Sequence, residues 1–176
     1  LPNSFSMIAV TENGNLFSAP ETYMEKIAIG PNLPKNLLDL DNSVEENIEL
    51  LSKASKKKTS EITACVLKRN RHNKIIDSLN KMRVNIKFIS DGDVSGVISV
   101  AGKTKDIDIY LGIGGGPEGV LAAAALSCLG GQMQTRLVMD KSEQDRALKM
   151  GIKDIKKKYT IDDMVKGDVI FCASAI

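Results

Sequence analysis

The sequence predicts an α/β fold in which a largely parallel sheet is flanked by helices. Two observations lead to this prediction. Short apolar runs typical of buried strands alternate with segments of helical periodicity, and turn-forming residues separate many of them. Chains that alternate in this way build a sheet with helices on its faces. Ligands then gather beyond the carboxyl ends of the parallel strands.

The first half of the chain contains three predicted strands and two predicted helices. The apolar run at residues 6–10 predicts a buried strand. Ser43 and Glu46 have capping-box spacing, which predicts that a helix begins there with apolar residues on one face. Residues 62–67 predict a second buried strand. Helical spacing of Ile75, Ile76, Leu79 and Met82 predicts the next helix, and alternation over residues 84–88 predicts the third strand.

The middle of the chain continues the alternation with two helices and two strands. Residues 94–100 predict a short helix, and the alternating apolar residues of 107–111 predict a strand. A longer helix is predicted over residues 118–129 because two glycines follow it as a stop signal. Residues 135–139 then predict another strand.

The last part of the chain adds two helices and a final strand. Residues 142–150 predict a helix, and Thr160 and Asp163 have the spacing of a helix cap. The apolar run at residues 169–172 predicts the last strand.

Composition predicts one soluble domain, so residues 1–176 are expected to form a single α/β unit. Of 176 residues, 43% are apolar and 26% are charged, which is ordinary for a globular protein. The formal net charge of +2 gives no reason to expect a nucleic-acid partner. No apolar run is long enough to span a membrane, and a cytoplasmic location is expected. The three cysteines are expected to be reduced core residues because each lies in an apolar run.

A glycine-rich turn followed by a helix start is the most informative local pattern. Gly114, Gly115 and Gly116 let the backbone approach a ligand closely, and the following helix offers unpaired N–H groups to an anion. Phosphate is the expected ligand. Glu118 would repel it unless a cation lay between them, so the pattern indicates a cation beside a phosphate. The alternative is that Pro117 and Glu118 only stabilise the helix start.

The same glycines allow a second functional interpretation. Gly114, Gly116 and Gly119 have the spacing of the dinucleotide-binding fingerprint, and Asp140 follows about twenty residues later. This alternative predicts a Rossmann-like binding module that would bind NAD without a metal.

Polar residues follow two other predicted strands at the same expected sheet edge. Arg69 and Arg71 can grip a phosphate through paired N–H donors. Asp91 and Asp93, held by Gly92, can accept hydrogen bonds from sugar hydroxyls. Together these groups indicate a sugar phosphate as the ligand.

Two further features are given structural interpretations. His72 is the only histidine, and we expect it to cap the helix that follows rather than to act in catalysis. The lysine runs at residues 56–58 and 156–158 are expected to be solvated surface.

Motifs in register occur along nearly the whole chain, at residues 23–26 with 30–31, 69–72, 91–94, 112–119 with 122–125, and 130–133. In their order and spacing these segments resemble the class II fructose-1,6-bisphosphatases of bacteria.

The resemblance implies a layered fold of the lithium-sensitive sugar phosphatase type. It also implies a divalent metal, Mg²⁺ or Mn²⁺, and hydrolysis of the 1-phosphate of fructose 1,6-bisphosphate in gluconeogenesis. By this resemblance Glu118 is a catalytic residue and a metal ligand, and Tyr23 contacts the substrate. The other substrate-binding positions are Arg69, Asn70 and Arg71 for the phosphate, and Asp91, Gly92, Asp93 and Gly115 for the sugar.

The chain also departs from the pattern of the family it resembles. The acidic motif Asp-Pro-Ile-Asp-Gly-Thr of similar enzymes is absent, so the chain is expected to be the middle and later part of a longer phosphatase. One carboxylate cannot hold a metal cluster, and the chain alone is therefore expected to be inactive or nearly so. A non-catalytic sugar-phosphate-binding subunit stays open as an alternative. The intact parent is expected to be a homo-oligomer.

Overall fold

Strands and helices alternate through the residues that the computed structural model describes, which are 5–102 and 106–175. The strands are β1 (Phe5–Thr11), β2 (Tyr23–Ile29), β3 (Thr63–Leu67), β4 (Asn85–Ile89), β5 (Ile109–Gly115), β6 (Gln132–Val138), β7 (Lys158–Thr160) and β8 (Val169–Ala175). The helices are α1 (Val44–Ser55), α2 (Asn73–Lys81), α3 (Asp93–Ile98), α4 (Gly116–Leu129), α5 (Lys141–Lys149) and α6 (Ile161–Met164). The predicted α/β class is confirmed.

The central sheet has six strands in the order β4-β3-β5-β2-β6-β7, and it is mixed. β3 pairs in parallel with β4 and β5, whereas β2 pairs antiparallel with both β5 and β6, and β6 pairs antiparallel with β7. The prediction of a largely parallel sheet is therefore wrong. The prediction fails because β2 lies between β5 and β6 and runs in the opposite direction, so that both of its pairings are antiparallel.

β2 was not predicted, although it lies at the centre of the sheet. Only residues 27–29 form an uninterrupted apolar run, because Glu25 and Lys26 place two charges inside the strand. Lys26 is nevertheless almost completely buried, with 1% of its surface exposed. Because Lys26 is charged, the apolar pattern that predicts a buried strand is interrupted within β2.

The predicted helix starts are confirmed in detail where a cap was recognised. Ser43 Oγ accepts a hydrogen bond from the Glu46 N–H at 3.1 Å, and the Glu46 carboxylate accepts one from the Ser43 N–H at 2.7 Å. Thr160 and Asp163 form the same reciprocal cap at the start of α6. Gly130 ends α4 with a positive φ of 80°, as its position after the helix predicted.

Two apolar cores lie on opposite faces of the six-stranded sheet. One core combines side chains of α1 and α2 with one face of β2, β3 and β5. The other combines α3 and α4 with the opposite face of the sheet. Beyond α4 lies a separate two-stranded sheet in which β1 and β8 pair antiparallel. The layered arrangement positions the ends of β2, β5 and β6 beside the start of α4.

The prediction that residues 6–10 form a buried strand is wrong on burial. Met7 and Ala9 pack against the core, but Ile8 on the other face is 57% exposed. This half-covered pattern follows from the two-stranded sheet, whose one face packs toward α4. None of the described helices is both long and apolar enough to cross a membrane.

The cysteines are free thiols in different environments. Cys65 is buried in β3, and burial raises the pKa of its thiol to about 11. Cys128 and Cys172 are exposed, so the prediction of core cysteines is wrong for these two. Both cysteines have apolar neighbours in sequence, but they lie on the exposed faces of α4 and β8.

Candidate functional site

The glycine turn, residues 114–118, joins β5 to α4 and forms the centre of the candidate site. Gly115 precedes the helix, and its N–H donates to Glu118 Oε2 at 3.2 Å. The Gly116 N–H donates to the Thr22 carbonyl oxygen at 2.8 Å. Glu118 is exposed, so its carboxylate both caps the helix and faces the surface. Glu118 therefore does stabilise the helix start, and its carboxylate remains accessible.

Tyr23 and Arg71 lie beside this turn. Tyr23 begins β2 and is directly paired with Gly115 across the β2–β5 ladder. The Arg71 guanidinium lies 4.9 Å from the centre of the Tyr23 ring, and its Nε donates to the Ile113 carbonyl oxygen at 2.8 Å. Stacking on an aromatic ring and a backbone hydrogen bond together restrict the guanidinium. The structure thus brings Tyr23, Arg71, Gly115 and Glu118 into one neighbourhood.

A cavity of about 360 Å³ opens at this neighbourhood. Its lining comes from the segment before β2, the glycine turn and the start of α5, and consists of Glu21, Thr22, Tyr23, Gly115, Pro117, Glu118 and Glu143. A larger cavity of about 460 Å³ lies at the opposite end of β2, and none of the predicted site residues lines it. The smaller cavity is the candidate site because three predicted site residues, Tyr23, Gly115 and Glu118, line it.

The structure separates the two aspartates that the sequence grouped together. Gly92 takes a positive φ of 83°, and its N–H donates to Asp91 Oδ1 at 2.9 Å. Asp91 is exposed at this turn, whereas Asp93 is 4% exposed and begins α3. The Asp93 carboxylate accepts hydrogen bonds from Lys26 and Tyr110 inside the protein. Asp91 is free to face a ligand, while both oxygens of Asp93 have internal partners.

Arg69 and Asn70 lie in the exposed segment that leads to Arg71. Arg69 Nη1 donates to the carbonyl oxygen of Lys68 at 3.1 Å, and Asn70 begins a short 3-10 helix. Both side chains are accessible, but their described hydrogen bonds do not tie them to the glycine turn.

His72 links two strands of the sheet rather than capping α2. It is fully buried, its Nδ1–H donates to the Leu67 carbonyl oxygen at 2.7 Å, and its Nε2 accepts from the Ile113 N–H at 2.8 Å. Since the Ile113 N–H is a donor, Nε2 must be the unprotonated nitrogen. The expected capping contact is absent at His72, which makes no side-chain cap hydrogen bond to α2. The neutral ring holds the arginine segment against β5.

Replacing His72 with alanine is expected to lower the free energy of unfolding by about 2–3 kcal/mol, because the Ile113 N–H loses its acceptor and a cavity opens. Urea unfolding followed by circular dichroism measures this change. Asn70→Ala, an exposed substitution two residues earlier, is the control and should change stability by less than about 0.5 kcal/mol. Equal effects of the two substitutions would contradict the strand-linking role of His72.

The described residues contain no group of three or more histidine, cysteine, aspartate or glutamate side chains placed to hold a metal. Glu118 is chemically suited to be one ligand, because carboxylate oxygens suit Mg²⁺ and Mn²⁺. Its exposure and its place on the cavity lining agree with that role.

The dinucleotide-binding alternative disagrees with the geometry. β5 and β6, which flank α4, are separated by the antiparallel β2 and do not form an adjacent parallel pair. Asp140 forms a reciprocal cap with Glu143 at the start of α5, and hydrogen bonding to the Glu143 backbone lowers the pKa of its carboxyl. Asp140 is therefore a helix cap.

The fold and site define an α/β protein in which a restrained guanidinium, an aromatic ring and an accessible carboxylate lie at one end of the central strands β2 and β5. A guanidinium is a common phosphate-binding group, and a carboxylate can hold a cation beside the phosphate. The family model described as "Bacterial fructose-1,6-bisphosphatase, glpX-encoded" matches residues 1–176. The chain therefore belongs to this family, and the resemblance found in its motifs is confirmed.

Curated relatives are similar to this chain along nearly its whole length. The D-fructose 1,6-bisphosphatase class 2/sedoheptulose 1,7-bisphosphatase of Thermosynechococcus vestitus is 35% identical over 190 aligned residues, covering 99% of this chain and 54% of the relative. The protein of the same name from Synechocystis sp. is 35% identical over 187 aligned residues, covering 98% and 54%. The chain thus spans about half the length of the curated relatives it matches.

Proposed function

We propose that the chain provides the sugar-phosphate subsite of a metal-dependent phosphatase that hydrolyses the 1-phosphate of fructose 1,6-bisphosphate. The products would be fructose 6-phosphate and phosphate, and the reaction would be a step of gluconeogenesis. The observation that carries the proposal is the contact of Arg71 with Tyr23 beside Gly115 and Glu118, in a chain of this family. The proposal includes a fold of the lithium-sensitive sugar phosphatase type.

The proposed roles follow the chemistry of each side chain. Arg71, together with Arg69 and Asn70, would bind a phosphate of the substrate, since a guanidinium offers paired donors to its oxygens. Tyr23 would contact the sugar phosphate while its ring supports Arg71. The turn formed by residues 91–93 and the backbone of Gly115 would hold the sugar.

Glu118 is proposed as one ligand of Mg²⁺ or Mn²⁺ and so as a catalytic residue. A divalent metal supplies positive charge to the oxygens of the transferring phosphoryl group. Glu118 alone supplies one carboxylate, and a cluster of metals requires several. We therefore expect this chain to bind the product sugar phosphate but to release little or no phosphate by itself.

Calorimetric titration of fructose 6-phosphate tests the proposal directly. We expect saturable binding by the purified chain, stronger in the presence of Mn²⁺, and no binding of NAD in a parallel titration. Glu118→Gln keeps the size of the side chain and removes its charge, so it should abolish the enhancement by Mn²⁺ while leaving metal-free binding within about twofold. Circular dichroism checks that the variant is folded.

Each contrary outcome has a definite meaning. A folded chain that does not bind fructose 6-phosphate would disprove a subsite within these residues. An undiminished Mn²⁺ effect in Glu118→Gln would remove Glu118 from the metal site. Clear Mn²⁺-dependent phosphate release by the chain would overturn the expected inactivity.

The relatives named above carry a second activity in their names, that of sedoheptulose 1,7-bisphosphatase. We propose sedoheptulose bisphosphate as a second substrate of the intact protein, which would act as a homo-oligomer. Competition between sedoheptulose 7-phosphate and fructose 6-phosphate for the chain tests the shared subsite. A non-catalytic binding subunit predicts the same competition without phosphate release from the intact protein.

A further inference from the structure

Lys26 is a buried charge at the centre of the six-stranded sheet. Its side chain is 0% exposed, and its ammonium group forms an ion pair with the Asp93 carboxylate. Burial lowers the pKa of Lys26, and the charge and hydrogen bond of Asp93 oppose that shift. An apolar residue would fill this position without the desolvation penalty that a buried ion pair carries. The lysine therefore calls for an explanation beyond stability.

The second Asp93 oxygen accepts a hydrogen bond from the hydroxyl of Tyr110, which is also fully buried. The Lys26 network, made of the side chains of Lys26, Asp93 and Tyr110, thus connects β2, the start of α3 and β5. Gly112 provides the space for it, because a Cβ at that position would lie 2.9 Å from the Tyr110 hydroxyl.

The network lies directly beneath the glycine turn. A Cβ added at Gly114 would lie 3.0 Å from Lys26 Nζ and would collide with the Asp93 carboxylate. A Cβ added at Gly119, in the first turns of α4, would lie 2.9 Å from Lys26 Cε. Gly114, which begins the glycine turn, and Gly119, which directly follows it, therefore both lie against the Lys26 side chain.

Asp93 also belongs to the turn that presents Asp91 and Gly92. By holding the Asp93 carboxylate in one orientation, Lys26 and Tyr110 fix that turn relative to β5. The network joins the two parts of the proposed sugar subsite, the turn at residues 91–93 and the backbone of Gly115.

We propose that Lys26 is a positioning residue, which through Asp93 and Tyr110 holds the glycine turn and the turn at residues 91–93 in the arrangement that binds the sugar. This inference deepens the proposed function and rests on it for the identity of the ligand. Asp93 then acts from beneath the subsite, and Asp91 supplies the exposed carboxylate. An ion pair suits this role because its geometry is directional, whereas an apolar contact is not.

The decisive variant is Lys26→Met/Asp93→Asn, which removes both charges together and leaves neither one buried alone. Its control is Lys57→Met/Asp108→Asn, which removes a second ion pair that is partly exposed and lies outside the candidate site. We measure amide hydrogen exchange of the ligand-free proteins at residues 114–119. Residues 64–67 of β3 are the internal reference, because the Thr63 N–H itself donates to Asp108. Exchange at residues 114–119 should accelerate at least about tenfold in the first variant only.

A turn that exchanges no faster than in the control would overturn the proposal, as would equal acceleration in β3, which reports general destabilisation. If the double variant does not fold, Tyr110→Phe decides. It keeps both charges and should still accelerate exchange in the turn by about threefold; no acceleration would overturn the proposal.

Fructose 6-phosphate titration separates this inference from the proposed function. Affinity should fall at least about tenfold in Lys26→Met/Asp93→Asn and by less in Tyr110→Phe. If Asp93 bound sugar directly, Tyr110→Phe would free one of its oxygens and leave affinity unchanged or higher, which would contradict the positioning role. A wild-type chain that does not bind the sugar phosphate would disprove the proposed function, while hydrogen exchange would still decide the role of Lys26.

Discussion

Gly114→Ala is expected to lower the free energy of unfolding by about 3 kcal/mol or more. The added methyl group would collide with the Asp93 carboxylate and would lie 3.0 Å from Lys26 Nζ. Neither group can move aside easily, because each is buried and bound to the other. The φ of Gly114 is not positive, so the effect comes from packing and not from backbone strain.

Gly115→Ala is the matched control, one residue further along. A Cβ there would lie 2.7 Å from the exposed Glu118 carboxylate, which can rotate away. We expect a loss of about 1 kcal/mol or less, from a weaker helix start. Urea unfolding of the two variants, with phosphate absent, measures the difference. Comparable losses would show that the space above the Lys26 network is not tightly packed.

Helices were the most predictable part of the fold, because their signals are local. The reciprocal cap at Ser43 and the glycine that ends α4 act within a few residues of the chain. Strand order is not local. The antiparallel direction of β2 depends on its pairing with β5 and β6, which are distant in sequence. β2 contains the charged residue Lys26, which can be buried only because it pairs with Asp93, 67 residues away.

The candidate site was predicted partly from residue chemistry and partly from the family resemblance. The glycine turn with Glu118 and the arginines at 69 and 71 follow from their patterns. The structure puts Arg71 beside that turn, and within the turn Glu118 accepts a hydrogen bond from Gly115. Tyr23 was indicated only by resemblance, because a tyrosine in a short segment has no local signature. Asp93 is buried whereas Asp91 is exposed. The sequence Asp-Gly-Asp does not indicate this difference, because both aspartates belong to the same polar turn.

The role of His72 also depends on residues that are distant in sequence. Its position before a helix predicted a cap, but its two ring nitrogens join Leu67 and Ile113 across two strands. The Ile113 carbonyl oxygen then accepts from Arg71. The arginine that the proposal places on the phosphate is thus held by the same residue of β5 that His72 holds.

Arg71→Ala is expected to weaken fructose 6-phosphate binding by about 10- to 100-fold. A charge-assisted hydrogen bond contributes about 1.5–3 kcal/mol, and each 1.4 kcal/mol corresponds to about tenfold in affinity. Arg71→Lys keeps the charge but loses the paired donors and the planar stacking on Tyr23, so it should recover only part of the loss. Calorimetry at fixed ionic strength measures both affinities.

Lys53→Ala is the control for net charge, because Lys53 is exposed on α1, whose buried residues belong to the core on the face of the sheet opposite α4. It removes one positive charge and should change affinity by less than about twofold, since exposed charges beyond about 10 Å are screened at ordinary ionic strength. If Lys53→Ala weakened binding as much as Arg71→Ala, the ligand would be sensing net charge. If Arg71→Lys bound as tightly as wild type, a point charge would suffice, and the stacked, forked geometry of Arg71 would have no part in recognising the phosphate.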